Sequence, residues 1–319
     1  MILQGFAQTS LDVNGELVTE ANMSAQLRIG LTFFFFFFYC GCAVLSFKFG
    51  PEPMRLDKGK WSRMKKPDYS IHYLEWVSIL HALSCLVIGS YIVYHYGHNY
   101  NRKTLYCEYL MTANSCGYFI YDTLAEWYYE TFDAGMVAHH LASIALTVFT
   151  LYEHYGGCAM FNGLYFAEWS GPCFIIRCAF KRQNLETTKK YLYAVTLYSI
   201  CYYFSRGIGY SLALYPIARA RYIPFYLKAI FMPALFLSYG WMILITAMLW
   251  KTLPNWSKNP KEVEKSGWWL AGRSFFKKYT KDSPWVYIST FIMALLTCIM
   301  PLTCAYIVHY VDPSWGTTT

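Results

Sequence analysis

Charge is what this sequence has least of. Asp, Glu, Lys and Arg make up 14% of its 319 residues, against 56% hydrophobic and 20% aromatic. So little charge cannot dress the surface of a water-soluble domain of this size. A soluble enzyme is thereby excluded, and lipid is the expected solvent. Basic residues are missing before Arg28, and the first long apolar run begins only near residue 27. That is too late for an ordinary secretory signal peptide, and no Arg-rich transit peptide precedes it. Targeting is expected to be internal, through the first span with its Phe33 to Phe38 run. The 11 cysteines include no CxxC pair. Their odd number and spacing suit neither zinc nor a disulfide framework, so they read as small packing side chains between helices, and no metal is expected. Internal repeats are absent too.

What is present is apolar length. A membrane-crossing helix takes roughly 20 mainly apolar residues, and eight stretches qualify: 27–47, 76–97, 109–129, 135–155, 158–180, 191–215, 225–250 and 285–310. The second, third and fourth also carry His, Asp and Glu. With eight spans, the loops at 48–75, 130–134, 181–190 and 251–284 fall on one side and hold 19 Lys and Arg. The opposite side holds Arg102, Lys103, Arg219 and Arg221, together with the acidic Asp12, Glu16 and Glu20. Basic residues collect on the untranslocated side. Both termini are therefore expected on the non-cytosolic side, or the non-matrix side in a mitochondrial inner membrane. The net charge of +8 sits on loops, where it suits anionic lipid headgroups rather than a nucleic acid.

The chain divides at its charged connectors. Residues 1–26 form a polar N-terminal segment, and 27–69 hold the first span and a basic connector from Pro51 to Pro67. The dense block 70–252 reads as one six-helix domain. Residues 253–284 interleave Trp268, Trp269, Leu270, Phe275 and Phe276 with Arg273, Lys277, Lys278 and Lys281, the pattern of an amphipathic interfacial helix. Residues 285–319 hold the last span and tail. Trp61, Trp76, Trp256, Trp285 and Trp315 lie near span ends, as an aromatic belt requires. The expected fold is an all-α polytopic transmembrane bundle.

Ionisable side chains inside the spans need partners or a wet cavity, because each costs roughly 2.5–3.5 kcal/mol at the bilayer centre. Asp122 and Glu126 share one face of the third span, with Glu130 a turn further. His139 and His140 are adjacent and diverge by about 100°, while His139 and Ser143 share a face. Glu168 stands in the fifth span ahead of Ser170 and Pro172, Arg177 lies near its end and is expected to snorkel, and Arg206 stands in the sixth. A short link between spans three and four makes them antiparallel neighbours. An Asp122 bond to His139 or His140 is expected, as is a Glu168–Arg206 pair. These groups either line a polar cavity, with His as base or headgroup ligand, or fix packing through interhelical bonds.

In this order and spacing, Gly117-Tyr118 with Asp122, then Met136 and His139-His140 with Ser143, then Glu168, Ser170 and Pro172, then Phe204 with Arg206, the chain resembles the TLC-domain family. Its members include ceramide synthases, translocation-associated membrane proteins and small lipid-regulatory membrane proteins. The resemblance covers about 72–252 and is closest to the non-synthase branch. It implies six helices around a cavity for an acyl chain, with the His pair facing it. In ceramide synthases two aspartates precede the glutamate of the fifth helix, and here those positions hold Phe161 and Leu164. Acyl transfer with His as base and Asp as orienter loses most of its machinery without them.

Three functions follow as expectations. The first is binding or regulation of a membrane lipid, a phospholipid or acyl lipid being the bound molecule, with no other cofactor. The second is an accessory subunit held among partner membrane subunits, as in a mitochondrial inner-membrane assembly. The third is a lipid acyltransferase using His139, His140 and Asp122. The membrane is expected to be endomembrane, ER-like, or mitochondrial inner membrane.

Overall fold

The computed structural model describes residues 7–11, 17–21, 23–50, 66–131, 134–183, 185–257, 260–279 and 283–312. Most of the basic connector 51–67, with Trp61, and the tail with Trp315 lie outside the described residues, as do Asp12 and Glu16. The helices are α1 (Ala25–Phe49), α2 (Lys66–Tyr96), α3 (Tyr106–Tyr128), α4 (Ala134–Tyr152), α5 (Gly157–Glu168), α6 (Gly171–Arg182), α7 (Lys189–Tyr202), α8 (Tyr210–Arg219), α9 (Phe225–Thr252), α10 (Pro260–Lys265), α11 (Gly267–Lys277) and α12 (Pro284–Tyr306). A π-helical segment, Tyr203–Gly209, joins α7 to α8. The polar N-terminal segment, for which the sequence pattern predicts no element, carries a hairpin: Ala7–Leu11 (β1) pairs antiparallel with Leu17–Ala21 (β2), Thr9 opposite Thr19. Asn14-Gly15 between the strands is the sequence signal for it.

Among the described residues, five helical stretches are long and apolar enough to cross a membrane: Ala25–Phe49, Ile71–Tyr96, Gly135–Tyr152, Phe225–Thr252 and Pro284–Val311. The other three expected spans are also helical, but each carries polarity or a break. Helix α3 has a buried polar stripe of Thr112, Asn114, Ser115 and Asp122. The fifth expected span is two helices, because the chain breaks at Trp169–Ser170 and restarts with Pro172 in the first turn of α6, where a missing N–H costs nothing. The sixth contains the π segment.

The connectors alternate between two ends of the bundle. At one end Lys103 bridges Tyr155, Thr104 N–H donates to His154 O at 2.8 Å, and Arg221 N–H donates to Asn101 Oδ1 at 2.8 Å. The start of α1 belongs there, since buried Arg28 donates to the main chain of Leu151 and Tyr152 at the end of α4. The segment after α12 belongs there too, with His309 against Phe225. At the other end Arg182 forms an ion pair with Glu75, Tyr193 packs on Trp256, and Trp250 Nε1 donates to Trp269 O at 3.4 Å.

Helix α1 packs chiefly on α3, and α12 on α9 and α8. The outer face of α1 presents Phe33, Phe34, Phe37 and Phe38, all exposed, while its inner face buries Tyr39, whose hydroxyl donates to Asn114 Oδ1 at 2.8 Å. Gly117 permits this approach: a Cβ there would lie 2.7 Å from both Phe36 N and Thr32 O. Gly117→Leu is expected to force the helices apart and cost about 1–3 kcal/mol. Thermal melting in detergent reads this directly, and an unchanged melting temperature would contradict the packing.

Candidate functional site

The polar residues separate into two groups that meet at the adjacent histidines. In the first, α3 and α4 lie side by side, and His140, 2% exposed, turns into their interface. Its Nε2 is 3.3 Å from Asp122 Oδ2 and its Nδ1 is 3.9 Å from Glu126 Oε2. Asp122 is buried and accepts a hydrogen bond from Tyr118 Oη at 3.0 Å. Of the two bonds the sequence leaves open for Asp122, the structure forms the His140 pair, because the roughly 100° between neighbouring helix positions turns His139 elsewhere.

The second group surrounds a small cavity of about 50 Å³ lined by His139, Ser143, Glu168 and Arg206, with Phe119 and Leu164 among the apolar walls. His139 and Ser143 share a face as expected. The expected Glu168–Arg206 pair does not form: no ion pair joins them among the described residues. Arg206 instead donates to Ala167 O from Nε and Nη2, at 3.3 and 3.1 Å, and lies over the rings of Tyr202 and Trp241. The cause is local. The π segment adds a residue to the turn carrying Arg206 and re-aims it, as such bulges commonly do at functional positions. Phe204 faces outward, 63% exposed.

His81 on α2 connects the two groups, and the sequence reading missed it. It is 1% exposed, stacks on Tyr118 with ring centroids 3.9 Å apart at 6°, and holds Nδ1 3.8 Å from Glu168 Oε1. Its Nε2 meets Ser115 Oγ at 3.1 Å. The available signal was a histidine inside an otherwise apolar span.

The large cavity lies off the centre of the block. About 1040 Å³ open between α6, α7 with its π segment, and α9, touched by α4 only through Met136 and His139. Among the described residues, none of α1, α2 or α3 lines it. The implied cavity at the heart of six helices is thus corrected: the centre is filled by the Tyr118–His81–Asp122 network and by apolar side chains including Phe161 and Leu164, both buried, and of the pair it is His139 that lines the two cavities described here. The walls are Phe174, Tyr198, Trp241 and Ile245, and Lys181, Glu186 and Lys251 stand at the basic-loop end. Arg177, expected to snorkel outward, turns into this cavity because the rings of Phe174 and Tyr198 receive its guanidinium at 5.1 and 5.4 Å. Its terminal nitrogens meet Met248 Sδ at 2.8 Å and Cys178 Sγ at 3.1 Å, and its Nε has no hydrogen-bond partner.

A multi-pass α-helical membrane protein, with a polar interhelical network beside an amphipathic cavity, is the class these features define. Residues 75–253 match the family model of the TLC domain, the TRAM, LAG1 and CLN8 group, over more than half of the chain, and the protein belongs to that family. No curated protein and no solved structure matches the chain.

Proposed function

We propose that the protein binds a membrane lipid with an acidic headgroup in the α6–α7–α9 cavity, and that it handles this lipid without turning it over. The observation that carries the reading is Arg177, a half-buried guanidinium lining a largely apolar cavity that forms no ion pair with a carboxylate among the described residues. A guanidinium held this way, its donors facing sulfurs, is matched to a phosphate or carboxylate. Lys181 and Lys251 outnumber Glu186 at the basic-loop end and leave it net positive, and the aromatic and aliphatic walls suit acyl chains. With the basic loops on the cytosolic or matrix side, the mouth faces that leaflet, whose anionic lipids favour such a site.

Support for a non-catalytic role comes from the separation of the histidines. His139, which faces the cavities, shares the small one with Arg206 and Glu168 but forms no ion pair with a carboxylate among the described residues, while Asp122 is engaged with His140 and Tyr118. A base needs an orienting partner on its far nitrogen. The test is photocrosslinking in liposomes with a phosphatidic acid carrying a diazirine in one acyl chain. Adducts are expected on α6, α7 and α9 at the cavity walls. Adducts confined to outward residues such as Phe33 and Leu83 would overturn the reading.

A further inference from the structure

Three donor groups outside the lipid cavity converge in a way that hydrogen bonding does not account for. Asp122, Glu126 and His140 each offer one donor atom, and these atoms lie within 4.8 Å of one another. The Asp122–His140 and Glu126–His140 separations, 3.3 and 3.9 Å, exceed the roughly 2.7–2.9 Å of a charge-assisted hydrogen bond. The shorter one is measured from Nε2 and the longer from Nδ1, and an imidazole gives one ion only one of these nitrogens, here the unpartnered Nδ1. An independent observation points the same way. His140 is 2% exposed, yet its Nδ1 has no hydrogen-bond partner and is aimed at Glu126 Oε2, which has none either.

We propose that Asp122, Glu126 and His140 form a divalent transition-metal site of the zinc type that clasps α3 to α4. One imidazole with two carboxylates is a borderline donor set, favouring zinc over magnesium. Three protein ligands leave a fourth position for water. The remaining contacts supply an outer shell: Tyr118 donates to Asp122 Oδ2 and so fixes the carboxylate that would ligate. Glu126 stands two residues before the end of α3, and its side chain is 16% exposed, which gives an ion a way in. The cysteines play no part, and the proposal stands whether or not the cavity holds lipid.

The experiment uses the full chain in detergent, stripped with a chelator, dialysed against zinc, manganese or magnesium, and assayed by elemental mass spectrometry alongside thermal melting. The expected result is about one zinc per chain, a rise in melting temperature with zinc, and no retention of magnesium. Glu126→Gln is the main variant, because its unpartnered Oε2 makes no bond the fold needs. It should melt like the metal-free wild type and lose zinc affinity at least tenfold, as the His140→Ala chain should also do. Zinc bound equally by wild type and Glu126→Gln would trace it to the thiols and overturn the proposal. So would retention of magnesium in place of zinc, or absence of bound zinc in a folded wild type.

Discussion

Arg177→Ala is expected to weaken binding of an acidic phospholipid about 10–100-fold and to leave binding of phosphatidylcholine unchanged. A hydrogen bond to a charged group is worth about 1.5–3 kcal/mol, and each 1.4 kcal/mol is a factor of ten in affinity. The fold should survive the change. The guanidinium meets Met248 and Cys178 sulfurs and two aromatic faces, and forms no ion pair among the described residues. Arg177→Lys should restore part of the affinity, because it keeps the charge but loses the planar fork. Titration of short-chain phosphatidic acid and phosphatidylcholine against the purified protein, followed by intrinsic tryptophan fluorescence through Trp241, separates these cases. Equal affinity of wild type and Arg177→Ala for the acidic lipid would remove the main support for the headgroup assignment.

Glu108→Ala should be the most destabilising single change in the molecule, at about 3–5 kcal/mol. Glu108 begins α3 fully buried. It accepts from Arg102 Nη1 and Nη2 at 2.8 and 2.7 Å and from the Leu105 N–H at 2.9 Å. The ion pair sits where three connectors meet, beside Thr104, whose hydroxyl accepts the Gly157 N–H at 3.1 Å. Removing the carboxylate strands a largely enclosed guanidinium and an unsatisfied backbone donor. The double variant Arg102→Leu with Glu108→Leu leaves neither charge behind and should recover much of the loss. Melting curves in one detergent compare the three chains. A drop from Glu108→Ala no larger than that of the double variant would show that the pair does not govern this end of the bundle.

The sequence carried the membrane class clearly, because apolar length and scarce charge leave a bundle of spanning helices as the one available solution. It also carried the neighbourhood of α3 and α4, since a short link forces them antiparallel and brings Asp122 to the histidine pair. It did not carry the aim of Arg206. The π segment at Tyr203–Gly209 changes helical phase by one residue, and an ideal 3.6-residue period cannot anticipate that. Arg177 shows the same limit from another side. Its position near a span end suits snorkelling, but Phe174, one turn away on α6, and Tyr198 from α7 form an inward aromatic seat that exists only once the helices have packed. His81 was legible as a residue but not as a partner, because its stacking on Tyr118 joins α2 to α3 across 37 positions of sequence. The location of the cavity was the least legible feature. Its walls come from α6, α7 with its π segment and α9, and only their packing brings those residues together.

An acidic lipid in the α6–α7–α9 cavity would leave the membrane with the protein. Native mass spectrometry of the full chain, released from a mild detergent, tests it most directly by weighing proteins and lipids that remain bound. The account predicts one retained lipid per chain, acidic in headgroup, that is lost from Arg177→Ala. A chain that carries no lipid but leaves the membrane in fixed stoichiometry with other subunits would contradict the account, and would assign the family fold here to scaffolding an assembly.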